Sequence, residues 1–121
     1  MPEEVEELTP AEQPVKIQAA EVKRRMDIGE RFAFVDARMI DEWIESARRI
    51  VPSVRMAPAE VSERAKGVPR GRTIVTYCNS PDEEFSTREA AELIRLGFSN
   101  VHPLIGGLDA WCAVGGLVER T

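Results

Sequence analysis

The chain has 121 residues, 43% of them hydrophobic and 31% charged, with a formal net charge of −5. That length suits one compact domain and is too short for two ordinary ones. No apolar run approaches a membrane span, the acidic stretch from Met1 to Glu7 excludes a basic-then-apolar signal peptide, and no basic patch points to nucleic acid, so the expectation is a cytoplasmic protein without membrane or nucleic-acid partners.

Residues 1–14 carry Glu3, Glu4, Glu6, Glu7 and Glu12 with no Lys or Arg, and Pro2, Pro10 and Pro14 punctuate them. They read as an acidic, flexible leader. Removing those five acids from the 21 Asp plus Glu leaves 16, equal to the 16 Lys plus Arg, so residues 15–121 form a nearly neutral domain. A short strand is expected over 15–18 and a helix over 19–26, with Val22 and Met26 on one face and Gly29 ending the segment. Residues 31–36 form a short apolar strand of the buried kind that ends in Asp36. A helix is expected over 40–48, where Ile40, Trp43, Ile44 and Ala47 recur at helical spacing. An extended stretch over 50–56 and a short helix over 60–66 follow, the latter closed by Gly67 and Pro69.

Residues 73–78 form the best strand, dense in β-branched and aromatic side chains. Ser80-Pro81-Asp82-Glu83 then reads as a helix start: a serine cap, proline at the first helical position and an acid at the third. That helix runs through Phe85, Ala90, Leu93, Ile94 and Leu96 to Gly97. A strand over 101–105, a Gly106-Gly107 turn and a helix over 108–114 complete the pattern. Short strands alternating with helices predict an α/β fold, a central parallel β-sheet flanked by helices on both faces. Ligands in such folds sit beyond the carboxyl ends of the strands.

Cys78 and Cys112 are too few for a disulfide framework and lack metal-ligand spacing, so no metal or cofactor is expected. Cys78 lies at the strand-to-helix turn, where the unpaired N–H groups of a first helical turn can stabilise a thiolate or persulfide anion. On geometry alone, a cysteine that merely ends a core strand is the alternative. Cys112, beside Trp111 within the last helix, reads as packing. His102 has no partner at recognisable spacing and is assigned no role.

Phe34-Val35-Asp36-Ala37-Arg38 followed by Glu42-Trp43, the element Ile50-Val51-Pro52-Ser53-Val54, the pair Tyr77-Cys78, and the closing series Gly97-Phe98, Val101, Leu104, Gly106-Gly107, Ala110-Trp111 and Gly115-Gly116 together resemble the rhodanese family. The resemblance spans roughly residues 17–119. It implies a single rhodanese-like domain with sulfurtransferase chemistry. A small sulfur donor such as thiosulfate leaves its outer sulfur on Cys78, and a thiophilic acceptor, cyanide or a thiol, removes it. Asp36 and Arg38 read as structural, with Arg38 and Glu42 spaced to pair.

The segment after Cys78 departs from the usual compact loop with its glycine and arginine. It is about three residues longer and resembles a subgroup with a Cys-x-[Cys/Ser]-Pro-x-Glu-x-x-Ser loop. Three residues approximate one helical turn, so the helix is expected to begin at Pro81 without a left-handed bulge. The substrate cradle is then expected from the amides of Asp82 and Glu83 and the side chains of Asn79 and Ser80. Asp82, Glu83 and Glu84 would disfavour a dianionic donor while complementing the helix dipole. Two rival functions remain. A phosphatase needs an arginine six residues after the cysteine, where Glu84 stands. A non-catalytic binding module would engage a partner protein and leave Cys78 inert.

Overall fold

The computed structural model describes residues 13–46, 48–79 and 81–120, without the side chains of Pro58 and Pro81. The acidic leader up to Glu12, together with Ala47, Ser80 and Thr121, lies outside the described residues.

The elements follow the expected alternation. In order they are β1 (Ile17–Gln18), α1 (Ala19–Asp27), β2 (Phe32–Asp36), α2 (Ile40–Glu45), β3 (Arg48–Ile50), β4 (Ser53–Arg55), α3 (Val61–Arg64), β5 (Thr73–Tyr77), α4 (Glu84–Arg95), β6 (Val101–Ile105), α5 (Gly107–Ala113) and β7 (Val118–Arg120). Single 3-10 turns flank α3 at Pro58–Glu60 and Ala65–Gly67, and another, Pro81–Glu83, precedes α4. Five strands form a parallel sheet in the order β1-β6-β5-β2-β4. All five residues of β2 and of β5 are buried, the pattern of strands covered on both faces.

Strand alternation divides the core into two layers. Phe32 and Phe34 of β2, Val75 and Tyr77 of β5 and Leu104 of β6 face Ala19 and Val22 of α1 and Leu108 and Trp111 of α5. Ala33, Val35, Ile74 and Val101 face Val61 of α3 and Ala90 and Leu93 of α4. The Trp111 ring occupies the space beside Gly116, where an added Cβ would lie 2.0 Å from it, and its indole N–H donates to the Leu117 carbonyl at 3.1 Å. That contact explains why Trp111 and Gly116 occur together.

Two features differ from expectation. The helix expected over 40–48 stops at Glu45, because the Ser46 hydroxyl donates to the Arg48 carbonyl at 3.0 Å and turns the chain out. Ile40 and Ile44 stay exposed, Ile44 at 65%, so the helical spacing there marks no core face. Residues 48–50 instead form β3, which pairs antiparallel with β7 and carries an Arg49–Glu119 ion pair at 2.8 Å.

The ends of β2 and β5 are joined by a buried polar cluster. Arg38 Nε and Nη2 donate to the Asp36 carboxylate at 2.9 and 2.6 Å, and both residues are fully buried. Tyr77 Oη donates to Asp36 Oδ2 at 3.0 Å and accepts from the Ile50 amide at 3.2 Å. Arg38 therefore pairs with Asp36, not with Glu42 as its helical spacing suggested. Burial works against the Arg38 charge, but Asp36 outweighs it and holds the guanidinium above its ordinary pKa. Removing one member of a buried pair strands the other charge. Arg38→Met is therefore expected to destabilise the protein by about 3–5 kcal/mol in urea unfolding, and adding Asp36→Asn should restore part of that loss.

Candidate active site

The carboxyl edge of the sheet gathers the ends of β2, β4, β5 and β6. Three backbone contacts align them. The Ala37 amide donates to the Tyr77 carbonyl at 2.8 Å, and the Met56 amide donates to the Asp36 carbonyl at 2.9 Å. Gly107, at φ +59, lies so close to Cys78 that an added Cβ would meet the Cys78 carbonyl oxygen at 1.9 Å and Asn79 Oδ1 at 3.6 Å. The Gly106-Gly107 turn is thus a close approach that only a residue without a side chain permits.

Cys78 follows β5 directly and is 1% exposed. Neither it nor Cys112 is disulfide-bonded. Asn79 is exposed beside it, whereas the expected contribution of Ser80 lies outside the described residues.

The next residues correct the expected helix start. Asp82 (φ 57°) and Glu83 (φ 55°) both adopt left-handed backbone, and α4 begins at Glu84. The segment therefore bulges despite lacking glycine, and its side-chain ties account for this. Glu83 accepts from Lys16 Nζ at 2.8 Å and from the Gly106 amide at 3.2 Å. Lys16 also donates to the Asp82 carbonyl at 3.2 Å, and the Ser86 hydroxyl donates to the Glu83 carbonyl at 3.2 Å. These bonds offset a backbone cost of about 1–2 kcal/mol per left-handed residue. Burial alone would push the Glu83 carboxyl up, but Lys16 and the Gly106 amide hold it below its ordinary value.

The three acids do not stand as a bare anionic wall. Glu83 is paired with Lys16, Glu84 lies 3.7 Å from Arg88, and Asp82 is exposed. Of the expected cradle, Glu83 is fastened to the β6–α5 turn through the Gly106 amide.

Glu89 went unrecognised in the sequence. It sits on the inner face of α4 with Ser86, Ala90 and Leu93, and it is fully buried. Among the described residues neither of its carboxyl oxygens has a hydrogen-bond partner. Burial, then the charge of Asp36, pushes its pKa up to about 9, with Arg55 opposing and Cys78 and Glu60 reinforcing the rise. The signal was available, since an acid three residues after Ser86 and four before Leu93 falls within the buried stripe.

Similarity to known proteins follows the geometry. The family described as "Rhodanese-like domain" matches residues 18–114. The rhodanese-like domain of a protein from Anabaena sp. is 28% identical, with 88% of this chain and 79% of that one aligned at a TM-score of 0.71. A full-length protein from Lactobacillus plantarum aligns over 88% of both chains at a TM-score of 0.74 and 18% identity, a likeness of fold alone. A thiosulfate sulfurtransferase from Pseudomonas aeruginosa, 21% identical at a TM-score of 0.70, covers 88% of this chain with only 20% of its own length and likewise shows the fold. No curated protein matches.

Glu89 gives the stability a defined pH dependence. Its native pKa lies above the ordinary glutamate value, so between the two the native state holds more protons than the unfolded state. Stability is therefore expected to fall as pH rises from the ordinary carboxylate range towards about 9. The slope attributable to Glu89 is up to about 1.4 kcal/mol per pH unit. Denaturant unfolding of Glu89→Gln across the same range should lack that slope.

Proposed function

Because the chain belongs to the rhodanese-like domain family, matched over residues 18–114, we propose that it is a sulfurtransferase that carries sulfane sulfur as a persulfide on Cys78. The observation that carries the reading is the position of Cys78. It comes straight after β5, a strand paired on both sides, at the carboxyl edge where open α/β sheets bind ligands, with the Gly107 backbone pressed against its carbonyl.

The reaction has two displacements at sulfur. The Cys78 thiolate attacks the outer sulfur of a donor, forming a new S–S bond as the donor's remaining group leaves with the electron pair. An acceptor thiol or cyanide then attacks that outer sulfur, and Cys78 leaves as the thiolate. No redox partner or cofactor enters the balance. The loop fits the subgroup pattern Cys-x-[Cys/Ser]-Pro-x-Glu-x-x-Ser. The motif acid, Glu83, binds Lys16 and the Gly106 amide, and the motif serine, Ser86, bonds the Glu83 carbonyl. Asn79, Ser80, Asp82 and Glu83 are the residues proposed to surround the transferred sulfur. Exposed Asp82 disfavours a dianion, so a low-molecular-weight or protein persulfide is the preferred donor over thiosulfate.

The near-complete burial of Cys78 favours a second reading, a binding module in which the thiol only packs. Intact-mass analysis separates the two after incubation with glutathione persulfide or with thiosulfate. The sulfurtransferase reading expects a species one sulfur atom heavier, removed by cyanide, absent from Cys78→Ser and formed more readily from the persulfide. A folded protein that gains no sulfur from either donor would support the binding module.

A further inference from the structure

The segment that follows Cys78 is closed over the Gly106-Gly107 turn at both ends. At its start the Cys78 carbonyl lies against Gly107, and at its end the Glu83 carboxylate accepts from the Gly106 amide at 3.2 Å. Lys16 fastens the far end from outside. Its Nζ donates to Glu83 Oε1 at 2.8 Å and to the Asp82 carbonyl at 3.2 Å, and so grips both residues of the left-handed turn. Lys16 is itself tied to the same Gly106-Gly107 turn. The next residues, Ile17 and Gln18 of β1, pair with Leu104 and Ile105 of β6, and Ile105 runs directly into Gly106. Lysine, loop, turn and strand pair thus form one closed circuit.

Asp82 and Glu83 carry side chains, for which left-handed backbone is unfavourable, so the turn persists only where the bonds around it fix it. Lys16 supplies a bond to each of the two. Building on the sulfurtransferase reading, we propose that Lys16 is a positioning residue for sulfur transfer: it acts through Glu83 and the Asp82 carbonyl to keep the loop closed on the Gly106-Gly107 turn beside Cys78, in the arrangement that receives and releases the outer sulfur. Lys16 lies just before residues 18–114, so the loop is held by a side chain from outside the span that the family pattern matches.

The pair is suited to holding geometry more than to stabilising the fold. The Lys16 side chain is 37% exposed and that of Glu83 16%, and an ion pair that water reaches contributes little to global stability. Its effect on geometry is larger, since misplacing the groups around a reacting centre by about 1 Å costs on the order of a hundredfold in rate. Loss of Lys16 therefore slows transfer far more than it weakens the fold.

The test loads the full chain, in a Cys112→Ser background, with glutathione persulfide and follows the one-sulfur mass gain against time over a range of donor concentrations. Lys16→Met should lower the maximal loading rate by about tenfold or more. Its urea midpoint should stay close to that of the parent. Lys16→Arg, which can still donate to both oxygens, should keep most of the rate. Glu83→Gln retains an oxygen for the Gly106 amide but loses the charge that pairs with Lys16, and it should slow loading in the same way. Because both changes break one tie, the double variant should be no slower than the slower single. Equal maximal rates in the parent and Lys16→Met would overturn the role of Lys16 and leave the sulfurtransferase reading intact. So would strictly additive losses, or a rate that falls only in proportion to the unfolded fraction. A loss confined to the half-saturating donor concentration and absent from Glu83→Gln would also overturn it, as the mark of a lysine that binds the donor itself. A parent that gains no sulfur overturns the sulfurtransferase reading and this role with it.

Discussion

The buried cluster of Asp36, Arg38 and Tyr77 is the constraint on which the rest of the structure depends. It ties the end of β2 to the end of β5, and through Tyr77 Oη and the Ile50 amide it reaches the small β3–β7 sheet. A buried ion pair contributes little net stability, because the desolvation of both charges offsets most of their attraction. What it supplies here is registration. Asp36 and Tyr77 are directly opposite in the sheet, so a slip of one residue would part the phenol from the carboxylate it donates to and leave both buried without that bond.

That registration sets the position of Cys78, the residue after Tyr77. On one side the Gly106-Gly107 turn presses backbone against the Cys78 carbonyl. On the other, Glu83 bridges to the Gly106 amide and to Lys16, just before β1. The loop is held by ionic and backbone ties, and its left-handed turn at Asp82 and Glu83 follows from those ties. On the inner face of α4, Glu89 fills a core position with a carboxyl whose pKa burial pushes up to about 9.

The parallel sheet and its flanking helices were legible from residues 31–36, 73–78 and 101–105, where unbroken apolar or β-branched runs leave little alternative to buried strands. The position of Cys78 followed from the same reading. Other features depend on contacts remote in sequence and left no local mark. The left-handed turn requires Lys16, 67 residues from Glu83, and the strand at Val118–Arg120 is visible only through its pairing with Arg48–Ile50. The Arg38–Glu42 spacing misled because Asp36, two residues away, offers a buried bidentate partner that helical spacing does not consider. Glu89 was readable in principle, since the apolar stripe of α4 passes through it, but a glutamate in such a stripe is ordinarily assigned to its edge.

The central claim is that this fold activates Cys78 despite burying it. The direct measurement is the iodoacetamide alkylation rate of Cys78 against that of Cys112 in the same molecule at neutral pH, folded and then in urea. Burial alone makes Cys78, at 1% exposure, the slower of the two when folded, because Cys112 is only partly covered. The account predicts that Cys78 reacts faster than Cys112 in the folded protein and that unfolding brings the two rates together. A folded protein in which Cys112 reacts first and Cys78 only after unfolding would contradict it.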